Sequence, residues 1–116
     1  MEKVAILAIH PVYAKAIYEG KKKFEVRTSR INASRVYLYE TSPIKLITGI
    51  IEIGEPIKLT TEEIKSNYRR ETRLSPNLID LYAKGRKYLW LWPIKRVARI
   101  RPITYAGPVI QSFKYL

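Results

Sequence analysis

The sequence predicts an α+β domain, a small β-barrel of about six short strands flanked by two or three short helices. Three observations carry this reading. Short apolar segments recur with strand periodicity, and the helix signals cluster in two places instead of separating every pair of strands. The 116 residues also suit a single core: a chain of this length buries about 65% of the surface its unfolded form exposes, so residues 1–116 form one domain without a covalent staple.

The elements follow in order. The opening run from Met1 to His10 is too short to span a bilayer of about 30 Å and is followed by no small-residue cleavage site, so Val4 to Ile9 reads as a strand buried on both faces. Pro11 opens a helix, with Val12, Ala16 and Ile17 as its core stripe and Gly20 closing it. Phe24 and Val26 then alternate with Glu25 and Arg27, which marks a half-buried strand with both charged residues on one face. Val36 to Tyr39 and Leu46 to Ile53 are two strands joined through Thr41-Ser42-Pro43, and Gly49 within the second hints at a bulge. Thr60 with Glu63 forms a capping box before a short helix whose apolar side is Ile64 and Tyr68. Ser75-Pro76 starts another, with Leu78, Leu81 and Tyr82 as its stripe and Gly85 as its end. Tyr88 to Ile100 is a strand that Pro93 bends or confines to an edge, and Val109 to Leu116 closes the sheet.

Composition excludes several kinds of chemistry. Cysteine is absent, which removes disulfides, thiolate nucleophiles and thiolate metal sites, and a single His10 removes multi-histidine metal clusters. No metal or other cofactor is expected. Lys and Arg number 22 against 10 Asp and Glu, a net charge of +12 that attracts polyanions, chiefly nucleic acid. A membrane partner is not expected, because no amphipathic helix carries a sustained cationic face. The reading is of a cytoplasmic protein; heavy use of Ile, Lys, Arg and Tyr also suits a thermophile, although thermostability alone predicts balanced charge.

The most informative segment is Gly20-Lys21-Lys22-Lys23-Phe24-Glu25-Val26-Arg27, which fits G-x-K-x-x-E-x-R directly after a helix that begins at a proline. Ala8-Ile9-His10-Pro11, Tyr39-Glu40-Thr41-Ser42-Pro43, Gly49-Ile50-Ile51-Glu52-Ile53 and the ending Gln111 to Leu116 stand in matching order around it. With these motifs the chain resembles the ASCH family of the PUA-like superfamily over most of its length. The resemblance implies a small barrel with a cleft at the motif and a theme of binding or modifying RNA. Some members are amidohydrolases of acetylated cytidine that use a Lys, a Thr nucleophile and a helical Glu. Carried over, the Lys is Lys22 and the Glu is Glu71, but the Thr falls on Glu25, a carboxylate that can activate water and cannot be a hydroxyl nucleophile.

The residues support a cleft on their own terms. A carboxylate and a guanidinium two apart on one strand can pair sideways and still offer N–H donors to a phosphate or base edge. Lys22, three before Glu25, would point the other way in a regular strand and joins them only if the turn at Gly20 rotates it in. The expected function is therefore binding of RNA, or single-stranded nucleic acid, at Lys21, Lys22, Lys23, Glu25, Arg27, Arg30 and Arg35, with Tyr39 and Trp92 stacking on bases. The alternative is a hydrolase of a modified nucleoside, or a ribonuclease, using Lys22, Glu25 and Glu71. His10, alone at a strand end, reads first as a packed or capping residue and only second as an acid or base.

Overall fold

The computed structural model describes residues 3–116, so Met1 and Glu2 of the opening run lie outside the described residues. The described residues form seven strands and four helices: β1 Val4–Ile9, α1 Pro11–Tyr18, β2 Phe24–Arg27, β3 Arg35–Glu40, β4 Leu46–Ile53, β5 Ile57–Thr60, α2 Thr61–Asn67, α3 Arg69–Thr72, α4 Pro76–Ala83, β6 Tyr88–Ile103 and β7 Phe113–Tyr115. The strands make one mixed sheet in the order β2-β6-β4-β3-β1-β7, with β5 also on β6, and it curves into a half-barrel: the α+β barrel expected, with one more strand and one more helix. β1 and β3 run parallel; the other pairs are antiparallel.

Local chemistry explains most boundaries. Pro11 sits in the first turn of α1, and Gly20 takes the left-handed φ of 75° that ends it. Thr60 and Glu63 make the capping box of α2 in full, and Ser75 caps α4 by accepting from the Leu78 amide. Gly49 does mark a bulge, since the register of β4 slips beside it against both neighbours. A Cβ there would meet the Tyr18 ring and, at 2.9 Å, the Ala98 carbonyl. Pro93 lies where β6 passes from pairing with β2 and β5 to pairing with β4, so the long strand belongs to both halves of the sheet.

Two apolar clusters fill the interior. One gathers Leu7, Ile17, Leu38, Ile51 and Trp92, and the other Val26, Ile64, Ile79, Leu89 and Leu91. β6 supplies both. Several expected core positions lie elsewhere. Val12 is 67% exposed, because α1 turns Ala14 and Ile17 inward. α4 buries Ile79 and Ala83, four apart on one face, against the second cluster, which leaves Leu78, Leu81 and Tyr82 on its outer side. The closing strand is shorter than expected: only Phe113–Tyr115 pairs, with Leu7 to Ala5 of β1.

Candidate functional site

A cavity of about 450 Å³ opens where the end of β1, β2, α4 and the C-terminal segment meet. Its polar lining is His10, Tyr13, Lys22, Glu25, Arg27, Thr41, Tyr82, Gln111 and Ser112; Ile9, Val26, Leu74 and Leu78 supply much of the apolar wall. The volume is of the order that holds a small organic ligand, and a few convergent polar groups in an apolar wall are what such sites present.

Lys22 reaches this cavity because of the turn before it. The amides of Lys21 and Lys22 both donate to the Ala16 carbonyl at the end of α1, at 2.8 and 3.1 Å, which breaks the strand alternation. The next residue is then fixed: the Lys23 amide donates to the Glu71 carbonyl and its carbonyl accepts from the Ile94 amide. Lys22 is left 1% exposed, its Nζ donating to the Thr72 carbonyl at 2.6 Å and lying 3.4 Å from Glu25 Oε1. It also lies 5.3 Å from the centre of the Tyr13 ring. Glu25, 5% exposed, accepts on Oε2 from Arg27 Nε at 2.9 Å and Nη2 at 2.6 Å. Arg27 spends its remaining reach on the Ala8 carbonyl and Ser112 Oγ, both at 3.1 Å. The guanidinium therefore ties β2 to the end of β1 and to the C-terminal segment, and most of the donors expected to face a ligand are used within the protein.

The electrostatics follow from this packing. Burial pushes the Lys22 ammonium below its usual range, and Glu25 opposes that. Burial would raise the Glu25 carboxyl, but Arg27 and Lys22 outweigh it and hold the group below the ordinary carboxylate value. The partly exposed Tyr82 phenol is raised above its usual range by the burial it does have, against the opposing pull of Arg27. Two cations against one carboxylate leave a net charge of +1 at the wall of the cavity.

The other expected residues are dispersed. Trp92 is not a stacking residue: it is fully buried, donates Nε1–H to the Ser29 carbonyl at 3.2 Å and stands edge-on to Phe113, because its position on β6 faces the first cluster. Tyr39 lies outside the cavity with its ring 5.6 Å from that of Tyr105. Lys21 is exposed and pairs with Glu19, Lys23 is exposed outside the lining, Arg30 pairs with Glu55, and Arg35 is exposed outside the lining. Glu71 lines a neighbouring depression instead, its Oε2 buried without a partner. His10 does line the cavity. It occupies the N-cap position of α1 without capping it, exposed, with Nδ1 3.4 Å from Thr41 Oγ1. Tyr13, Tyr82 and Ser112 were not expected there. Tyr82 is hidden in a helical stripe that reads as core, and Ser112 reaches the site only through the pairing of β7 with β1.

Fold and site together define a half-barrel domain with a small cleft whose wall carries buried, mutually paired charges. A profile described as the ASCH domain matches residues 7–101, and the chain belongs to the ASCH family. An ASCH domain-containing ribonuclease of Zymomonas mobilis is 30% identical over 105 residues, covering 87% of this chain and 70% of that protein. The crystal structure of ASCH from Zymomonas mobilis superposes with a TM-score of 0.89 at 28% identity, over 98% of this chain and 87% of that one. A serine-to-alanine mutant of the Zymomonas protein matches with a TM-score of 0.89 at 27% identity, over 99% of this chain and 89% of that one. Among the described residues, no helix is long and apolar enough to cross a membrane and no three acidic or histidine side chains cluster as metal ligands would.

Proposed function

We propose that this domain takes one nucleotide of a single-stranded RNA into the Lys22–Glu25–Arg27 cleft and cuts the strand beside it. The observation that carries the reading is the net positive charge built into the wall of a nucleotide-sized cavity, where a phosphate oxygen finds a cation already desolvated. The relative named a ribonuclease supports cleavage over binding alone. Cleavage needs the 2′-hydroxyl to lose its proton and attack phosphorus while the P–O5′ bond breaks and the leaving 5′-oxygen gains a proton. The exposed His10 imidazole serves the first transfer and Lys22, made a better acid by burial, the second. Ser112 Oγ accepts from Arg27, so its own proton is free to donate to a phosphate oxygen.

The test is incubation of labelled single-stranded RNA and the same sequence as DNA with the wild type, His10→Ala and Lys22→Met. Cleavage of RNA alone, lost in both variants while both still fold, is expected. RNA that is bound and left intact by the wild type overturns cleavage and leaves a binding module, the reading favoured by how fully Lys22, Glu25 and Arg27 satisfy one another. Deacylation of acetylated cytidine is not expected, since Glu25 brings no hydroxyl to the cleft; fast turnover there would replace the RNA substrate with a modified nucleoside.

A further inference from the structure

The cleft does not stand alone on its face of the molecule. It shares Leu74 with a depression lined by Arg69, Arg70 and Arg73, just before α4. On the other side it shares Leu78, Tyr82 and Ser112 with a depression lined by Lys84 and Arg86, just after α4. The three hollows form one path along the helix. Eight residues of helix span about 12 Å, so the two basic groups flank the cleft at close range.

We propose that the RNA strand entering the cleft runs along the outer face of α4, its backbone held by Arg69, Arg70 and Arg73 at one end and by Lys84 and Arg86 at the other. This rests on the reading of single-stranded RNA in the cleft. All five cations are exposed, and none makes an ion pair with a described residue. Between them lies the apolar stripe that α4 turns away from the core, with Leu81 70% exposed and the Tyr82 ring beside it. Isolated cations at each end of an apolar, partly aromatic strip match a single strand, which offers phosphates along one edge and base faces along the other. The acids nearby do not cancel the charge: Asp80 is engaged by Lys65 at 2.9 Å, and Glu71 is one carboxylate among three arginines.

The test uses 2′-O-methyl oligouridylates of 3 and 12 nucleotides, which bind without being cut, and three matched double variants: Arg70→Gln/Arg73→Gln, Lys84→Gln/Arg86→Gln, and Arg101→Gln/Lys114→Gln as a control. The 12-mer is expected to bind the wild type more tightly than the 3-mer. Each helix-end pair should weaken the 12-mer about 25-fold at 0.1 M salt and flatten its salt slope by about 1.4, the loss of two phosphate contacts at about 0.7 each. Both should leave the 3-mer unchanged, and the control should do neither. Equal losses in the control, or a 12-mer no tighter than the 3-mer, overturn the path while 3-mer binding keeps the cleft reading intact. A 12-mer that binds where the 3-mer does not, unaffected by Lys22→Met, overturns the cleft reading itself.

Discussion

Replacing Glu25 by Gln keeps the shape of the side chain and removes one charge from a buried cluster of ionised groups. In the wild type its carboxylate takes two charge-assisted hydrogen bonds from Arg27, at 2.9 and 2.6 Å, and stands 3.4 Å from Lys22 Nζ. The variant leaves two cations facing each other with only neutral acceptors, among them its own amide oxygen, the Thr72 and Ala8 carbonyls and the Ser112 hydroxyl. Removing one member of a buried charge pair costs about 3–5 kcal/mol. Against a typical domain stability of about 5–15 kcal/mol this is severe, and it lowers Tm by about 10–20 °C for a chain of this size. Urea unfolding at pH 7, followed through tryptophan fluorescence, measures the gap. The pH dependence gives a second reading. Because the folded carboxyl titrates below 4.5, the unfolded state binds the extra proton first, so the stability from Glu25 is complete above pH 4.5 and lost as the pH falls through the folded value. Wild type and variant should therefore converge in acid. A gap below about 1 kcal/mol at pH 7, the range of an exposed ion pair, would refute the argument, as would a gap unchanged down to pH 2.5, a limit set by protonation of the ordinary carboxylates. Adding Lys22→Met should restore part of the loss, since the two charges are then removed together.

Three further outcomes are expected. Trp92→Phe should lower stability by about 1–3 kcal/mol, from a lost hydrogen bond to the Ser29 carbonyl and a cavity in the core, yet leave RNA affinity unchanged in a binding titration; a large fall in affinity would restore it as a stacking residue. Gly49→Ala should cost about 1–3 kcal/mol in chemical denaturation, because the new methyl meets a backbone carbonyl that cannot step aside. Thr60→Ala should cost about 1 kcal/mol by the same measurement through loss of the α2 cap, with no change at the cleft.

Features written into neighbouring residues were legible in the sequence. The caps at Thr60 and Ser75, the bulge at Gly49, and Glu25 and Arg27 sharing a face all follow from spacing, and the structure has each. The short strand β5 carries only a faint alternation at Ile57 and Leu59, and α3 is a single turn with no side-chain cap to announce it. α4 carries two apolar faces, and its local sequence does not distinguish them. Leu78, Leu81 and Tyr82 make as good a stripe as Ile79 and Ala83, and only the position of Leu89 and Leu91 on a strand yet to come decides which turns inward. The rest of the cleft was beyond reach for a similar reason. Ser112 meets Arg27 across 85 positions of sequence, and neither residue carries a mark of the other.

β6 has a consequence for how the protein is made. It pairs with β2, β4 and β5, all of which leave the ribosome before it, and it contributes Trp92 to one apolar cluster and Leu89 and Leu91 to the other. Until residues 88–103 emerge, β2 and β5 lack the partner they share, β4 has one open edge, and each interior lacks a wall. The nascent chain therefore gains its structure late and nearly all at once, by ordering a single segment whose contacts lie far back in the sequence. Such non-local pairing is slow and leaves unpaired edges exposed while it waits. A truncation before Tyr88 should give a sticky, unstructured fragment, and supplying Tyr88–Leu116 as a separate peptide should be enough to fold it.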